Sequence, residues 1–192
     1  AIQNCTGPSA ITLPESLTKI GNYACAVCSG LKTITVPPGI TEINYGVFFN
    51  CTGLMEVNLP ETLTAIHPSA FENCLFEQID IPDNVTAVAS NAFLNCTKLS
   101  EVGYPKGWTE CYHEIGDEYY NGYQYNHTPF YGCTSLKEIT VDEGVTAIPK
   151  YAFRNCTSLE TIVLPESLTT INAYAFDGCS NLKTVVLPAQ LT

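Results

Sequence analysis

Several residues in this chain have the types and spacing that do chemistry. Cys25-Ala-Val-Cys28 is a CxxC pair, the spacing used for thiol–disulfide exchange and for metal binding. Cys111, His113, His127 and Cys133 supply two sulfurs and two imidazoles within a short span, a donor set that zinc accepts. Glu114, Asp117 and Glu118 put three carboxylates in one loop, as a calcium site requires. Around them, residues 112–125 read YHEIGDEYYNGYQY, in which Tyr112, Tyr119, Tyr120, Tyr123 and Tyr125 offer broad, rigid rings with polar tips, the composition of a recognition loop. No nucleophile paired with a base, phosphate-binding glycine loop or HExxH accompanies them, so no catalytic residue, cofactor or metal is assigned and an enzyme is not expected.

What positions these residues is a repeat. Cysteines at 5, 28, 51, 74, 96, 133, 156 and 179 follow one another at steps of 23, 23, 23, 22, 37, 23 and 23, the period of a stacked solenoid. In each copy apolar residues recur after the cysteine, as in Leu54, Val57 and Leu59, with Asn58 alternating outward as on a strand. Proline then ends the ladder at positions 14, 37, 60, 82, 105, 165 and 188. A second extended segment carries threonine at 18, 41, 64, 86, 109, 146, 169 and 192. An Ala-Phe pair follows (Ala70–Phe71, Ala92–Phe93, Ala152–Phe153, Ala175–Phe176), predicted as a short helical turn. Asn or Gly precedes the cysteine in seven of eight copies, ready for the left-handed conformation that ends a helix, and only Val27 departs from this. In this frame Cys28 is a ladder residue, Cys25 fills a phenylalanine slot, Trp108 a leucine slot and Cys111 an isoleucine slot, so all four read as core. The sequons at Asn4, Asn50, Asn84, Asn95, Asn126 and Asn155 read mainly as by-products of the repeat.

The pattern CxxLxxIxLPxxLTxIxxxAF resembles the leucine-rich repeat in the variant of BspA-like bacterial surface proteins, over nearly the whole chain. The resemblance implies an α/β solenoid: a right-handed coil of about eight repeats, with a parallel β-sheet on one face, short second strands and short helical turns. It also implies a place at the cell surface or outside the cell, and adhesion to a protein or glycan. The chain is read as a single domain over residues 1–192, a piece of a longer protein, with an inserted loop at about 112–128 that accounts for the 37-residue step.

Two surfaces are candidates for binding. One is the inserted loop, whose rings would either recognise a partner or fold back over the flank of the stack. The other is the outer sheet face, with Thr12, Thr35, Asn58, Asp80, Gly103, Thr140, Val163 and Val186 in one row and Glu56, Gln78, Glu101 and Glu138 in the next. With 19 acidic against 8 basic residues and a net charge of −11, nucleic acid is not expected as a partner. No apolar run reaches the roughly 20 residues of a membrane span, and a basic or polar extracellular partner suits the face. A spacer without a ligand is the alternative. Open ends of the stack suggest end-to-end association, and parallel side-chain directions along the cysteine ladder predict free thiols, countable by titrating the denatured protein.

Overall fold

The structure, a computed structural model, describes residues 2–7, 9–112 and 128–191. The chain winds as a parallel β-solenoid of about seven turns, each running from one ladder cysteine to the next. We number these coils 1 to 7; coil 4 spans residues 74–95, coil 5 spans 96–132 and coil 6 spans 133–155.

Strands fall in two rows. The first holds β1 (Ala10–Ile11), β2 (Thr33–Thr35), β4 (Glu56–Asn58), β6 (Gln78–Asp80), β8 (Glu101–Gly103), β10 (Glu138–Thr140), β12 (Thr161–Val163) and β14 (Thr184–Val185). The second holds β3 (Glu42–Ile43), β5 (Ala65–Ile66), β7 (Ala87–Ala89), β9 (Glu110–Tyr112), β11 (Ala147–Ile148) and β13 (Thr170–Ile171). Every pairing is parallel and in register with the repeat, Ile34 opposite Val57 and Ile139 opposite Ile162. Burial along the first row alternates exposed, buried, exposed, as period-two patterning requires. The second segment forms strands as expected. Its threonines hold the row laterally: the Thr64 hydroxyl donates to the Thr41 carbonyl at 3.0 Å and that of Thr169 to Thr146 at 3.1 Å.

The first row is divided into three pieces, β1-β2-β4, β6-β8 and β10-β12-β14. The break before β6 has a sequence cause. Coil 4 is one residue short between its cysteine and its strand, so the turn that precedes Leu54 in coil 3 has no counterpart, and Phe76 takes the leucine slot. That ring is fully buried and packs edge-on against Phe71 at 5.8 Å.

The expected helical turns are not formed: among the described residues there is no helix. The reason is conformational. Six of the turns carry two residues at positive φ four positions apart, such as Ser69 (57°) and Asn73 (59°), Asn91 (59°) and Asn95 (56°), or Tyr151 (64°) and Asn155 (59°). Three residues between two left-handed ones cannot close a run of i to i−4 bonds. Instead the N–H groups alternate. Those of Ala70, Glu72 and Cys74 bond three residues back, while those of Phe71 and Asn73 reach the carbonyls of Ala92 and Leu94 in the next coil, both at 2.8 Å. The turns are thus a third inter-coil ladder, not helix.

The Asn or Gly before each cysteine does take the left-handed conformation, and so does Val27 (φ 60°). Asparagines there also stack, the Asn73 amide donating to Asn50 Oδ1 at 2.7 Å. At Gly132 (φ 77°) a Cβ would sit 2.2 Å from Asn95 Oδ1, so the amide of coil 4 occupies the space the glycine leaves. A β-branched side chain in this conformation is strained by about 1–2 kcal/mol. Replacing the exposed Val27 by Asn, the residue used in neighbouring coils, is expected to raise the unfolding free energy by about 1 kcal/mol. Urea unfolding checks this; a loss of stability would mean that the valine packs rather than strains.

Candidate functional site

The ladder cysteines are buried from Cys28 to Cys156, with Cys5 and Cys179 at the two ends half-buried. They do more than fill space. Five of the thiols donate at close range to a carbonyl of the preceding turn: Cys51 to Cys25 at 3.1 Å, Cys74 to Phe48 at 3.1 Å, Cys96 to Phe71 at 3.1 Å, Cys133 to Phe93 at 3.2 Å and Cys179 to Phe153 at 3.1 Å. A leucine in this slot would leave those carbonyls without this donor. Burial pushes the thiols of Cys51, Cys111 and Cys133 up to about 12 and that of Cys25 up to about 11, far from the thiolate character of a redox or catalytic cysteine. The CxxC pair is thus core: Cys25 and Cys28 are 2% and 0% exposed. All ten cysteines are free.

Beneath the thiols runs a column of rings. Phe48, Phe71, Phe93, Phe130, Phe153 and Phe176 stack in sequence at centroid separations of 5.1–5.7 Å, with interplanar angles of 4–15°. The inter-strand spacing of about 4.7–4.9 Å sets that separation. Core, thiols and ladders together lie behind the outer face.

On that face the expected rows are exposed. Thr12, Thr35, Asn58, Asp80, Thr140, Val163 and Val186 stand out in one row, with Gly103 half-buried among them, and Glu56, Gln78, Glu101 and Glu138 in the other. Register aligns Asn58 with Thr35, Glu101 with Gln78 and Asp80 with Gly103. The Asn58 amide donates to Glu56 Oε1 at 3.2 Å and to the Thr35 hydroxyl at 3.4 Å. Asp80 leans over the glycine, its Oδ1 lying 2.1 Å from where a Gly103 Cβ would stand. Among the described residues Glu56, Asp80, Glu101 and Glu138 have no cationic partner. Three lysines near this face are engaged at its margins, Lys106 with Asp83 at 2.9 Å and both Lys137 and Lys183 with Glu160.

The two candidate surfaces are not brought together. The backbone of Tyr112 closes β9, while Tyr119, Tyr120, Tyr123 and Tyr125 lie outside the described residues, as do His113, His127 and the acids Glu114, Asp117 and Glu118. Of the imagined zinc donors, Cys133 points inward and its thiol is engaged with Phe93, and Cys111 packs half-buried against the core. Among the described residues no three His, Cys, Asp or Glu side chains are grouped to hold a metal, and no helix is long and apolar enough to cross a membrane.

A family model described as the BspA type leucine rich repeat region matches residues 18–122 and 121–192, in six copies. The chain belongs to the BspA-type leucine-rich repeat family. Among solved structures, this BspA-type chain is similar to the T. pallidum leucine-rich repeat protein TpLRR, at 23% identity over 91% of this chain and 78% of that one, TM-score 0.68. It also matches a leucine-rich repeat protein of Bacteroides ovatus at 26% identity, over 95% of this chain and 62% of that one, TM-score 0.38. A leucine-rich cell surface protein of Faecalibacterium prausnitzii matches at 23% identity, over 95% and 73%, TM-score 0.36. No curated protein sequence matches it. The repeat signals legible in the chain are those of this family; the donor role of its cysteines was not read from them, although a small polar residue held in an apolar slot was the signal for it.

Proposed function

We propose that this BspA-type stack is a non-catalytic binding module at the cell surface, adhesin-like, whose sheet face takes an extracellular protein presenting lysine and arginine side chains. The observation that carries the reading is the set of exposed carboxylates on the first strand row, Glu56, Asp80, Glu101 and Glu138, which have no cationic partner among the described residues. Rim charges of this kind govern encounter and partner choice, and they act over a Debye length of about 8 Å at physiological salt. The Tyr119, Tyr120 and Tyr123 loop is the second contact zone of the same proposal.

The test is binding to a panel of extracellular-matrix proteins and glycans, by the parent chain and by two variants. Reversing Asp80, Glu101 and Glu138 to lysine is expected to weaken binding at least about tenfold and to flatten its salt dependence. Changing Tyr119, Tyr120 and Tyr123 to serine separates the loop: if that variant alone loses binding, the loop and not the sheet is the site. A parent chain that binds nothing on the panel favours the spacer reading.

A further inference from the structure

The junction between coils 5 and 6 is unlike the others. Neither β8 and β10 nor β9 and β11 are hydrogen-bonded to one another, so both strand rows are interrupted at one level. Before β6 only the first row breaks, since β5 still pairs with β7. In the turn row at this junction a side chain serves, the Thr128 hydroxyl donating to the Arg154 carbonyl. The Cys156 thiol stands 3.9 Å from the Phe130 carbonyl, against 3.1 or 3.2 Å for Cys51, Cys74, Cys96, Cys133 and Cys179. On the outer row Glu101 and Glu138 occupy successive slots on the two sides of the break.

Aromatic packing holds this junction. Slots that elsewhere carry Leu59 and Leu63, or Val141 and Val145, carry Tyr104 and Trp108 in coil 5. Tyr104 lies 5.5 Å from Trp108 and 6.3 Å from Phe153 of coil 6, and Trp108 lies edge-on to Phe130 and Phe153 at 6.2 and 5.9 Å. Both side chains are buried, at 5% and 2% exposure. The cluster is not ideal: the Trp108 N–H donates to the Glu110 carbonyl at 2.7 Å, but the buried Tyr104 hydroxyl has no hydrogen-bond partner among the described residues. A hydroxyl in that state favours any arrangement that lets water reach it.

We propose that the solenoid divides at this seam into two blocks, coils 1–5 and the coils from 6 onward, which part as units, with Tyr104 and Trp108 as the latch. The parting occurs at the level where the 37-residue step places the inserted segment. It does not depend on the partner proposed above. Repeat stacks lose cooperativity where a nearest-neighbour interface is weak, and at this interface both strand ladders are missing together.

Trp108 is the single tryptophan of the chain, so its fluorescence reads the latch while far-UV circular dichroism reads the ladders. In a urea series on the full chain, acrylamide is expected to reach Trp108 at lower urea than the loss of the dichroism signal. Tyr104→Phe, which removes the unpartnered hydroxyl and keeps the ring, is expected to shift the Trp108 opening constant toward the closed form by about tenfold. The dichroism midpoint should stay where it is. Coincident traces in the parent chain overturn the seam. A Tyr104→Phe shift that is absent, or shared equally by both probes, overturns the latch.

Discussion

Replacing Phe93 by alanine is expected to remove about 3–5 kcal/mol of unfolding free energy, a large part of the roughly 5–15 kcal/mol that holds an ordinary domain. The ring is 0% exposed and lies between Phe71 at 5.4 Å and Phe130 at 5.1 Å, nearly parallel to both. Two effects add: lost transfer free energy with the cavity left behind, and two stacked pairs at about 0.5–1.5 kcal/mol each. The cavity cannot close, because the backbones on either side are tied through the carbonyls of Ala92 and Pro129 to the N–H groups of Phe71 and Phe93. Phe176, half-buried with Phe153 as its stacked neighbour, should cost about half as much when truncated. Guanidinium or urea unfolding followed by circular dichroism measures both, and a Phe93→Ala loss below about 1 kcal/mol would show that the column is not what carries the core.

The second large effect is alkaline. Folding raises the thiols of Cys51, Cys111 and Cys133 to about 12 and those of Cys25 and Cys179 to about 11, and lifts Cys74, Cys96 and Cys156 as well, in every case first through burial. A thiol whose folded pKa exceeds its unfolded one stabilises the fold fully below the unfolded value, near 8.5, and loses that contribution as pH climbs toward the folded value. Each such group costs up to about 1.4 kcal/mol per pH unit in that window. Several acting together exhaust the stability of an ordinary domain near about pH 10. The expected result, under reductant, is a sharp loss of structure between about pH 9.5 and 10.5, with the unfolding free energy falling by several kcal/mol per unit. A slope no steeper than one thiol supplies would mean that the ladder is open to water. Cys96→Ala should flatten the slope by one group while lowering stability at pH 7.

The parts of the fold that were legible in the sequence are those set by a rule at a single position. Val57 between Glu56 and Asn58 announces a strand; Pro60 announces its end; Asn50, Asn73 and Asn95 announce left-handed backbone, and all three adopt it. The turns were misread because an Ala-Phe pair closed by Asn looks like a helix end. The deciding feature is a second left-handed position four residues earlier, and it accepts Tyr23, Ser69, Asn91 and Tyr151 alike, so no residue type betrays it. Where each N–H bonds is settled by the neighbouring coil, which local propensity does not contain. For the candidate surface, alternation alone was enough to place Glu56, Asp80, Glu101 and Glu138 outward. The seam had a visible sign, Tyr104 and Trp108 in slots that hold aliphatic residues elsewhere, but its meaning depended on which strands pair.

The alternating bonds of the turns, the thiol donors and the two strand rows have one property in common: what a coil offers on its upper side is what the next requires on its lower. At the level of the gene, gain or loss of a segment of 23 codons between equivalent points leaves each surviving contact of the same kind as before. Unequal exchange between like copies can therefore lengthen or shorten the array without a compensating substitution. Coils 4 and 5, with 22 and 37 residues, do not share that freedom, because copying either one duplicates a break in pairing as well as a repeat. The length of the stack is for this reason heritable as a copy number, and the seam as a fixed landmark within it.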